Sequence, residues 1–226
     1  MDNVLQEKEK VVIYGAGAIG RLAYGIFKRS ATYEVVAFTA DSFYVNSESF
    51  LDLPLLPFEE SIHEYPPEMY KMFVAVGYRK MRVRRKMYEK AKENGYVLVN
   101  CIDKSALILE RVHLGDNNLI FPNVVIETDV KIGSNNVFWT GVTICHDSSI
   151  GSHNFFASGV IIGGFCNIGN LNFIGFGSVV RENTHIPDEV LVGASSYVNK
   201  NPQPLGLYYG VPAKRMKELG NGVELS

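Results

Sequence analysis

From Ile102 onward the chain repeats every six residues, and no other feature limits its fold so tightly. Ile102, Ile108, Leu114, Ile120, Ile126, Ile132, Phe138, Ile144, Ile150, Phe156, Ile162, Ile168, Ile174, Val180, Ile186, Val192 and Val198 are all large and apolar. With nearly half of all residues apolar, chance yields such an unbroken run about once in a hundred thousand trials or less. An amphipathic helix needs a period of about 3.6 and a half-buried strand a period of two, so neither explains sixes. A hexad fits a triangular solenoid: each short strand is one side, three hexads close a coil, and coils stack into parallel sheets. About five coils are expected, with the large apolar residues stacked inward. Each stabilises the fold by roughly 1.5–3 kcal/mol, offset by ordering entropy. Gly115, Gly133, Gly151, Gly163, Gly169, Gly175 and Gly193 follow the inward residue. Smaller residues such as Val124, Ser148, Asn154 and Cys166 stand two before it. Small residues and glycine are expected at corners, where the backbone takes angles that branched residues avoid.

The first hundred residues read differently. Strand-like segments at Lys10 to Tyr14, Tyr33 to Thr39, Lys71 to Val76 and Tyr96 to Asn100 alternate with helical ones at Arg21 to Arg29 and Arg79 to Asn94. Such alternation predicts a parallel sheet with helices packed on it, a Rossmann-like α/β domain. Phe43 to Tyr70 contains four prolines and is expected to hold loops and a short helix. The expected boundaries are residues 1–100 for the α/β domain, 101–206 for the all-β solenoid and 207–226 for a C-terminal tail.

Gly15, Gly17 and Gly20 form a GxGxxG run between a strand and a helix. Backbone N–H groups at such a helix start attract phosphate. Asp41 follows the second strand, where an acidic residue commonly meets a ribose. A hundred residues are few for a full dinucleotide-cofactor domain, which argues against an oxidoreductase.

The net charge of −2 offers no general grip on nucleic acid or membrane. The basic stretch from Arg79 to Lys92 shares helix-period apolar residues and reads as a solvated helix face. Three cysteines without CxxC spacing read as small apolar residues in a reducing compartment. The polar N-terminus shows no signal peptide and no span, so a cytoplasmic protein is expected.

The hexads, followed by Gly210-Val-Pro-Ala-Lys-Arg-Met216 and preceded by Val12-Ile-Tyr-Gly-Ala-Gly17, carry a resemblance over about residues 9 to 216. The chain resembles the hexapeptide-repeat sugar acyltransferases, in particular the sialic-acid O-acetyltransferase-like and bacillosamine N-acetyltransferase-like group. This implies a left-handed parallel β-helix. It also implies an acetyl-CoA-dependent acetyltransferase acting on a nucleotide-linked amino sugar for bacterial glycans, and a homotrimer with the acyl-donor cleft between adjacent β-helices. No metal is expected. Phe121, Phe155, Phe165, Phe173 and Phe176 flank inward positions and are expected to include outward-facing residues of a subunit interface.

Transfer of an acetyl group from a thioester needs a base, oxyanion donors and a means of holding both substrates. Of the five histidines, His146 lies two residues beyond inward Ile144, in the middle of the solenoid. By the resemblance, His146 is the general base and Asp147 orients it and stabilises the imidazolium. Gly164, Gly193 and Ala194 match positions whose backbone meets the pantetheine arm or thioester, with a backbone N–H as oxyanion donor. Lys214 and Arg215 are placed to meet the coenzyme's phosphates. Gly15, Gly17 and Asp41, with Arg79 and Arg82 as lesser candidates, are expected to hold the nucleotide part of the acceptor. His153 is expected near the site. The chain departs from relatives at Phe155, where some have a second histidine, and at Trp139, where some have asparagine. O-acetylation and transfer of a longer acyl group stay open. A metal-dependent β-helix lyase using His113, His146 and His153, and a non-catalytic scaffold, are the more distant alternatives.

Overall fold

The computed structural model describes residues 7–77 and 79–225. Two compact units divide the chain: Met1–Gly77 with Met87–Cys101, and Tyr78–Lys86 with Ile102–Ser226. The division falls inside one helix.

The first unit is a five-stranded sheet. Its strands are β1 (Glu9–Tyr14), β2 (Tyr33–Ala40), β3 (Ser49–Phe50), β4 (Leu53–Pro57) and β5 (Lys71–Val74), in the order β3-β4-β2-β1-β5. All pairings are parallel except β3 with β4. Helices α1 (Ala18–Phe27), α2 (Phe58–Glu64) and the end of α3 (Met81–Glu93) complete it. Val12, Tyr14, Phe58, Met72, Ala91 and Tyr96 share one core. β1 has β2 on one side and β5 on the other, so strand order reverses at the strand that leads into the glycine run. Ligands of open α/β sheets bind beside the carboxyl ends of strands at such a reversal.

Several expectations need adjusting here. The proline-bearing stretch after Asp41 contains the expected short helix, α2, and adds the strands β3 and β4. Tyr96 to Asn100 is no full strand: only Leu98 bridges to Met72. Lys71 to Val76 shortens to Lys71–Val74.

The second unit is a triangular parallel β-helix whose strands are two residues long. The first face stacks Leu107–Ile108, Val125–Ile126, Thr143–Ile144, Ile161–Ile162, Val179–Val180 and Tyr197–Val198. The second stacks His113–Leu114, Lys131–Ile132, Ser149–Ile150, Asn167–Ile168 and His185–Ile186. The third includes Leu119–Ile120, Val137–Phe138, Phe155–Phe156, Phe173–Ile174 and Leu191–Val192, and Gly206–Tyr209 and Lys214–Glu218 extend it. The residues after 206 are thus strands of a sheet rather than a bare tail. The second residue of each strand points inward, and from Ile120 to Val198 all of these are buried in one core.

A buried asparagine ladder binds successive coils. Asn118 Oδ1 accepts from the backbone N–H and side-chain Nδ2 of Asn136, and Asn136 Oδ1 accepts from the same two groups of Asn154. Each of these side chains is fully buried and satisfied, as burial of polar groups requires.

The corners refine the glycine argument. The left-handed positions are 111, 129, 147, 165 and 183 on the edge between first and second faces, 117, 135, 153, 171 and 189 on the edge between second and third, and 123, 141, 159, 177 and 195 on the edge between third and first. They recur every eighteen residues, three after the inward one, and none is β-branched. Gly115, Gly133 and Gly151 are not among them. A Cβ on Gly115 would lie 2.7 Å from the Gly133 carbonyl carbon, so these glycines serve close stacking of coils.

The phenylalanines divide. Phe121, Phe155 and Phe173 are buried, with Phe155 and Phe173 stacked at 5.1 Å, whereas Phe165 and Phe176 are more than half exposed. Cys101 and Cys166 are buried and Cys145 is half-buried.

Candidate active site

His146 occupies the edge between the first and second faces, immediately before the left-handed corner residue Asp147, whose φ is 57°. Aspartate tolerates that region better than most residues. The turn brings the Asp147 Oδ2 within 2.9 Å of His146 Nδ1. With the carboxylate ionised, Nδ1 carries the proton and Nε2 presents a lone pair. Among the described residues Nε2 has no hydrogen-bond partner. Both side chains are nearly half exposed, so a substrate can reach them.

The next coil frames the ring. Phe165 meets it edge-on at 5.2 Å between centroids. Gly164 lies directly against it: a Cβ there would stand 3.0 Å from Cε1 and 3.1 Å from Nε2. Among the described residues the backbone N–H of Gly164 has no acceptor, while its carbonyl accepts from Asn183. One residue escaped the sequence reading. Glu127, on the preceding coil, accepts the His146 backbone N–H at 2.9 Å through Oε2. It stands nineteen residues before His146, one coil and one residue, a spacing that reveals proximity only after the eighteen-residue coil is known.

Asp147 also lines a 300 Å³ cavity with Arg111, His113, Asp129, Lys131 and Ser149. Arg111 and Asp129 are joined there by two hydrogen bonds of 2.7 and 2.6 Å. The guanidinium holds the Asp129 carboxyl below the usual range.

Other candidate residues lie elsewhere. Gly193 and Ala194 are on the edge between the third and first faces, across the whole first face from His146. The Gly193 N–H donates to the Tyr208 carbonyl at 2.7 Å, so it is not free to serve an oxyanion. Lys214 and Arg215 are exposed on the last strand, and Arg215 stands 3.8 Å from Glu218.

His153 is on the edge between the second and third faces, one hexad from the His146 corner. Its Nδ1 accepts from Asn135 Nδ2 at 2.9 Å. Arg84, almost fully buried, donates to the Asn135 carbonyl at 2.9 Å and to the His153 carbonyl at 3.4 Å. Burial, then the Arg84 and Arg85 guanidinium groups, push the His153 imidazole down to about 4. His153 is neutral at neutral pH and is held at its corner by Asn135 and Arg84, one edge away from His146 in the same chain. Arg82 is engaged by Glu189 through a bidentate ion pair reaching 2.8 Å, and Arg79 is exposed. His113, His146 and His153 do not converge, and no group of three metal-ligating side chains occurs among the described residues.

In the first unit, the glycine run serves two purposes. A Cβ on Gly15 would collide with the Ala75 carbonyl, and one on Gly20 with the Gly15 carbonyl, so both are needed for packing. Gly17 is exposed with open space around it, leaving the helix start accessible. Asp41 is held in a network that the sequence did not reveal. The buried Tyr14 hydroxyl donates to its Oδ1, and Lys90 Nζ reaches the same oxygen at 3.0 Å and Glu59 Oε1 at 3.0 Å. Lys90 also sits 4.4 Å above the Phe58 ring. Burial opposes ionisation of Asp41, but the hydrogen bonds from Tyr14 and Lys90 outweigh it and hold the carboxyl below its usual range.

The model of the bacterial transferase hexapeptide (six repeats) matches residues 111–146, and that of the PglD N-terminal domain matches residues 10–91. The chain therefore carries hexapeptide repeats of the bacterial transferase type and a PglD-type N-terminal domain. Its β-helix is of the left-handed type, and the α/β unit precedes it as in the solved relatives. PerB from Caulobacter crescentus, solved in complex with CoA and GDP-perosamine, is similar with a TM-score of 0.83 and 26% identity, over 92% of this chain and 97% of its own. A variant of the Caulobacter GDP-perosamine N-acetyltransferase with a histidine replaced by alanine, also with CoA and GDP-perosamine, is similar with a TM-score of 0.84 and 26% identity, over 92% and 97% of the two chains. The acetyltransferase domain of PglB from Neisseria gonorrhoeae FA1090 shares the fold with a TM-score of 0.83 at 23% identity, over 92% of this chain and 100% of that one.

Proposed function

We propose that this hexapeptide-repeat transferase is an acetyl-CoA-dependent N-acetyltransferase that acts on a nucleotide-linked amino sugar, with His146 as general base. The observation that carries the reading is the Asp147–His146 pair: Nδ1 is tied to a carboxylate while Nε2 faces accessible space beside Gly164. That is the arrangement a neutral imidazole needs to take a proton and hold it.

In the reaction, the neutral amine of the sugar attacks the thioester carbonyl carbon and forms the C–N bond. His146 Nε2 takes the amine proton, and the Asp147 carboxylate stabilises the resulting imidazolium. Negative charge gathers on the carbonyl oxygen, where the N–H of Gly164 or Ala194 is the candidate donor. Collapse breaks the C–S bond, and the coenzyme A thiolate leaves and takes the proton to become a thiol. Gly15, Gly17 and Asp41 hold the nucleotide part, with the helix start at Gly17 meeting phosphate.

The working form in this reading is a homotrimer. His146 and the Gly193–Ala194 pair border opposite sides of one face, so a thioester touched by both needs edges from two copies. Cyclic assembly supplies that pairing three times over. Lys214 and Arg215 are assigned to the coenzyme's phosphates, a cytoplasmic location follows from the substrates, and the product feeds bacterial glycan synthesis. No helix among the described residues is long and apolar enough to cross a membrane. Residues 1–100 are taken as the acceptor domain and 101–206 as the transfer domain.

The test is thiol release from acetyl-CoA with UDP-, dTDP- and GDP-linked amino sugars, wild type against His146→Ala. Acceptor-dependent release that falls about 10²-fold or more in the variant is expected for loss of a general base. No release with any amino sugar would favour a hydroxyl acceptor or another acyl donor, and an unimpaired variant would remove His146 from the reaction.

A further inference from the structure

Two residues beyond each inward side chain, the corner amide is satisfied along the second-to-third edge by a side chain from the coil above. Asp116 N donates to Ser134 Oγ at 3.1 Å, and Ser134 N to Ser152 Oγ at 3.0 Å. Ser152 N donates to Asn170 Oδ1 at 2.8 Å, and Asn170 N to Asp188 Oδ1 at 2.7 Å. The cap comes each time from eighteen residues further on.

His146 holds the equivalent position in its hexad, and eighteen residues further on stands Gly164. Gly164 has no side chain to offer, and a side chain there would press on the imidazole at 3.0 Å. No cap from the coil above reaches the His146 N–H, and the glycine that makes room for the ring has no side chain to supply one. An uncapped corner amide loses a partner, and the residue it belongs to gains freedom. Glu127 restores the cap from below, with Oε2 2.9 Å from the His146 N–H. Hydrogen bonds to an ionised carboxylate are shorter and stronger than neutral ones.

We infer that Glu127 is a positioning residue for the base: it fixes the main chain of His146 while Asp147 fixes the ring. The two carboxylates divide the task, one setting where the side chain starts and the other setting its rotation and tautomer. The inference rests on the reading of His146 as the base. It concerns a contact through the backbone, so Glu127 need not touch substrate.

The experiment compares Glu127→Ala and Glu127→Gln in the full chain by steady-state kinetics, thermal unfolding and amide hydrogen exchange over residues 144–148. Displacing a reacting group by about 1 Å can cost up to about 10²-fold. Glu127→Ala is expected to lower kcat by about 10-fold to 10²-fold, with both KM values within about twofold. Its unfolding temperature should stay within about 4 °C, while exchange at His146 quickens. Glu127→Gln, whose amide oxygen still accepts, should recover most of kcat and of the protection. Wild-type kcat and exchange in Glu127→Ala would overturn the inference. So would a kcat loss that Glu127→Gln fails to relieve, because charge rather than the cap would then be responsible. Failure of the acyltransferase reading shows separately, as absence of acceptor-dependent thiol release in the wild type or an unimpaired His146→Ala. The exchange measurement still decides the contact in that case.

Discussion

Gly164 and His146, on consecutive coils, compete for one volume: a Cβ on the glycine would stand 3.0 Å from Cε1 and 3.1 Å from Nε2 of the imidazole. Gly164 is not at a left-handed position, so alanine would not strain its own backbone, and its methyl group would press first on the ring, with the His146 carbonyl oxygen next at 3.4 Å. Gly164→Ala is expected to lower kcat/KM by about 10-fold to 10²-fold by tilting the base. Unfolding temperature should change by less than about 4 °C. Kinetics and a thermal melt on the same sample check this. A fully active alanine variant would mean that the ring does not work from its present position.

Asp147 has two separable duties, one of shape and one of charge. Its φ of 57° suits aspartate and asparagine alike. Asp147→Asn therefore keeps the corner but removes the carboxylate that fixes the Nδ1 proton. A loss of kcat of about 10² to 10⁴-fold is expected, with little change in folding. Asp147→Ala should lose activity and stability together, since alanine lacks the polar side chain that eases this backbone conformation. If the asparagine variant kept wild-type kcat over a range of pH, Asp147 would be a corner residue and nothing more.

The solenoid was legible because its inward residues repeat every six positions, and the α/β unit because strand-like and helix-like stretches alternate. The corner geometry was only half legible. Glycine after the inward residue looks like a turn signal, but its reason is contact between coils. The left-handed corners sit two residues later and accept Arg111, Asp147, His153 and Phe165 as readily as glycine. His146 and Asp147 could be singled out because they are neighbours in sequence. Glu127 and Lys90 could not, because their contacts arise from coil stacking and from α3 meeting the end of β2. His153 stands seven residues after His146 in sequence, and that step carries it round to the next edge.

His153 makes stability depend on pH in a defined direction. Its imidazole titrates near 4 in the folded chain against 6.5 as the ordinary value. Above 6.5 it is neutral in both states and contributes no penalty. As pH falls below that, the unfolded chain takes up a proton that the folded one refuses, and stability declines until the pH approaches about 4. Solvent that reaches the ring moderates the loss to about 2 kcal/mol. Protonation would set a second donor against Asn135 Nδ2 beside the buried Arg84. Urea unfolding at pH 7.5 and pH 5 should show the loss in wild type and a smaller one in His153→Asn, whose side chain suits the φ of 64°. Equal pH dependence in the two proteins would remove His153 as its source.

The two edges assigned to catalysis cannot meet within one chain. From the His146 corner to the third-to-first edge, one whole face intervenes, up to about 20 Å of extended chain. If the acyl donor lies between two copies, a base from one and the Ala194 edge of the next form each site. Two variants, His146→Ala and Ala194→Trp, should then be nearly inactive alone, the first lacking a base and the second blocking the donor. Co-expressed in equal amounts, they should assemble mixed trimers in which some sites pair an intact His146 with an intact Ala194. Random mixing gives about a quarter of sites that pairing, so about a quarter of wild-type activity should return. With both residues serving a site inside one chain, every site would keep a defect and no activity would return. Variants purified separately and mixed without subunit exchange should stay inactive in either case, which ties any recovery to assembly.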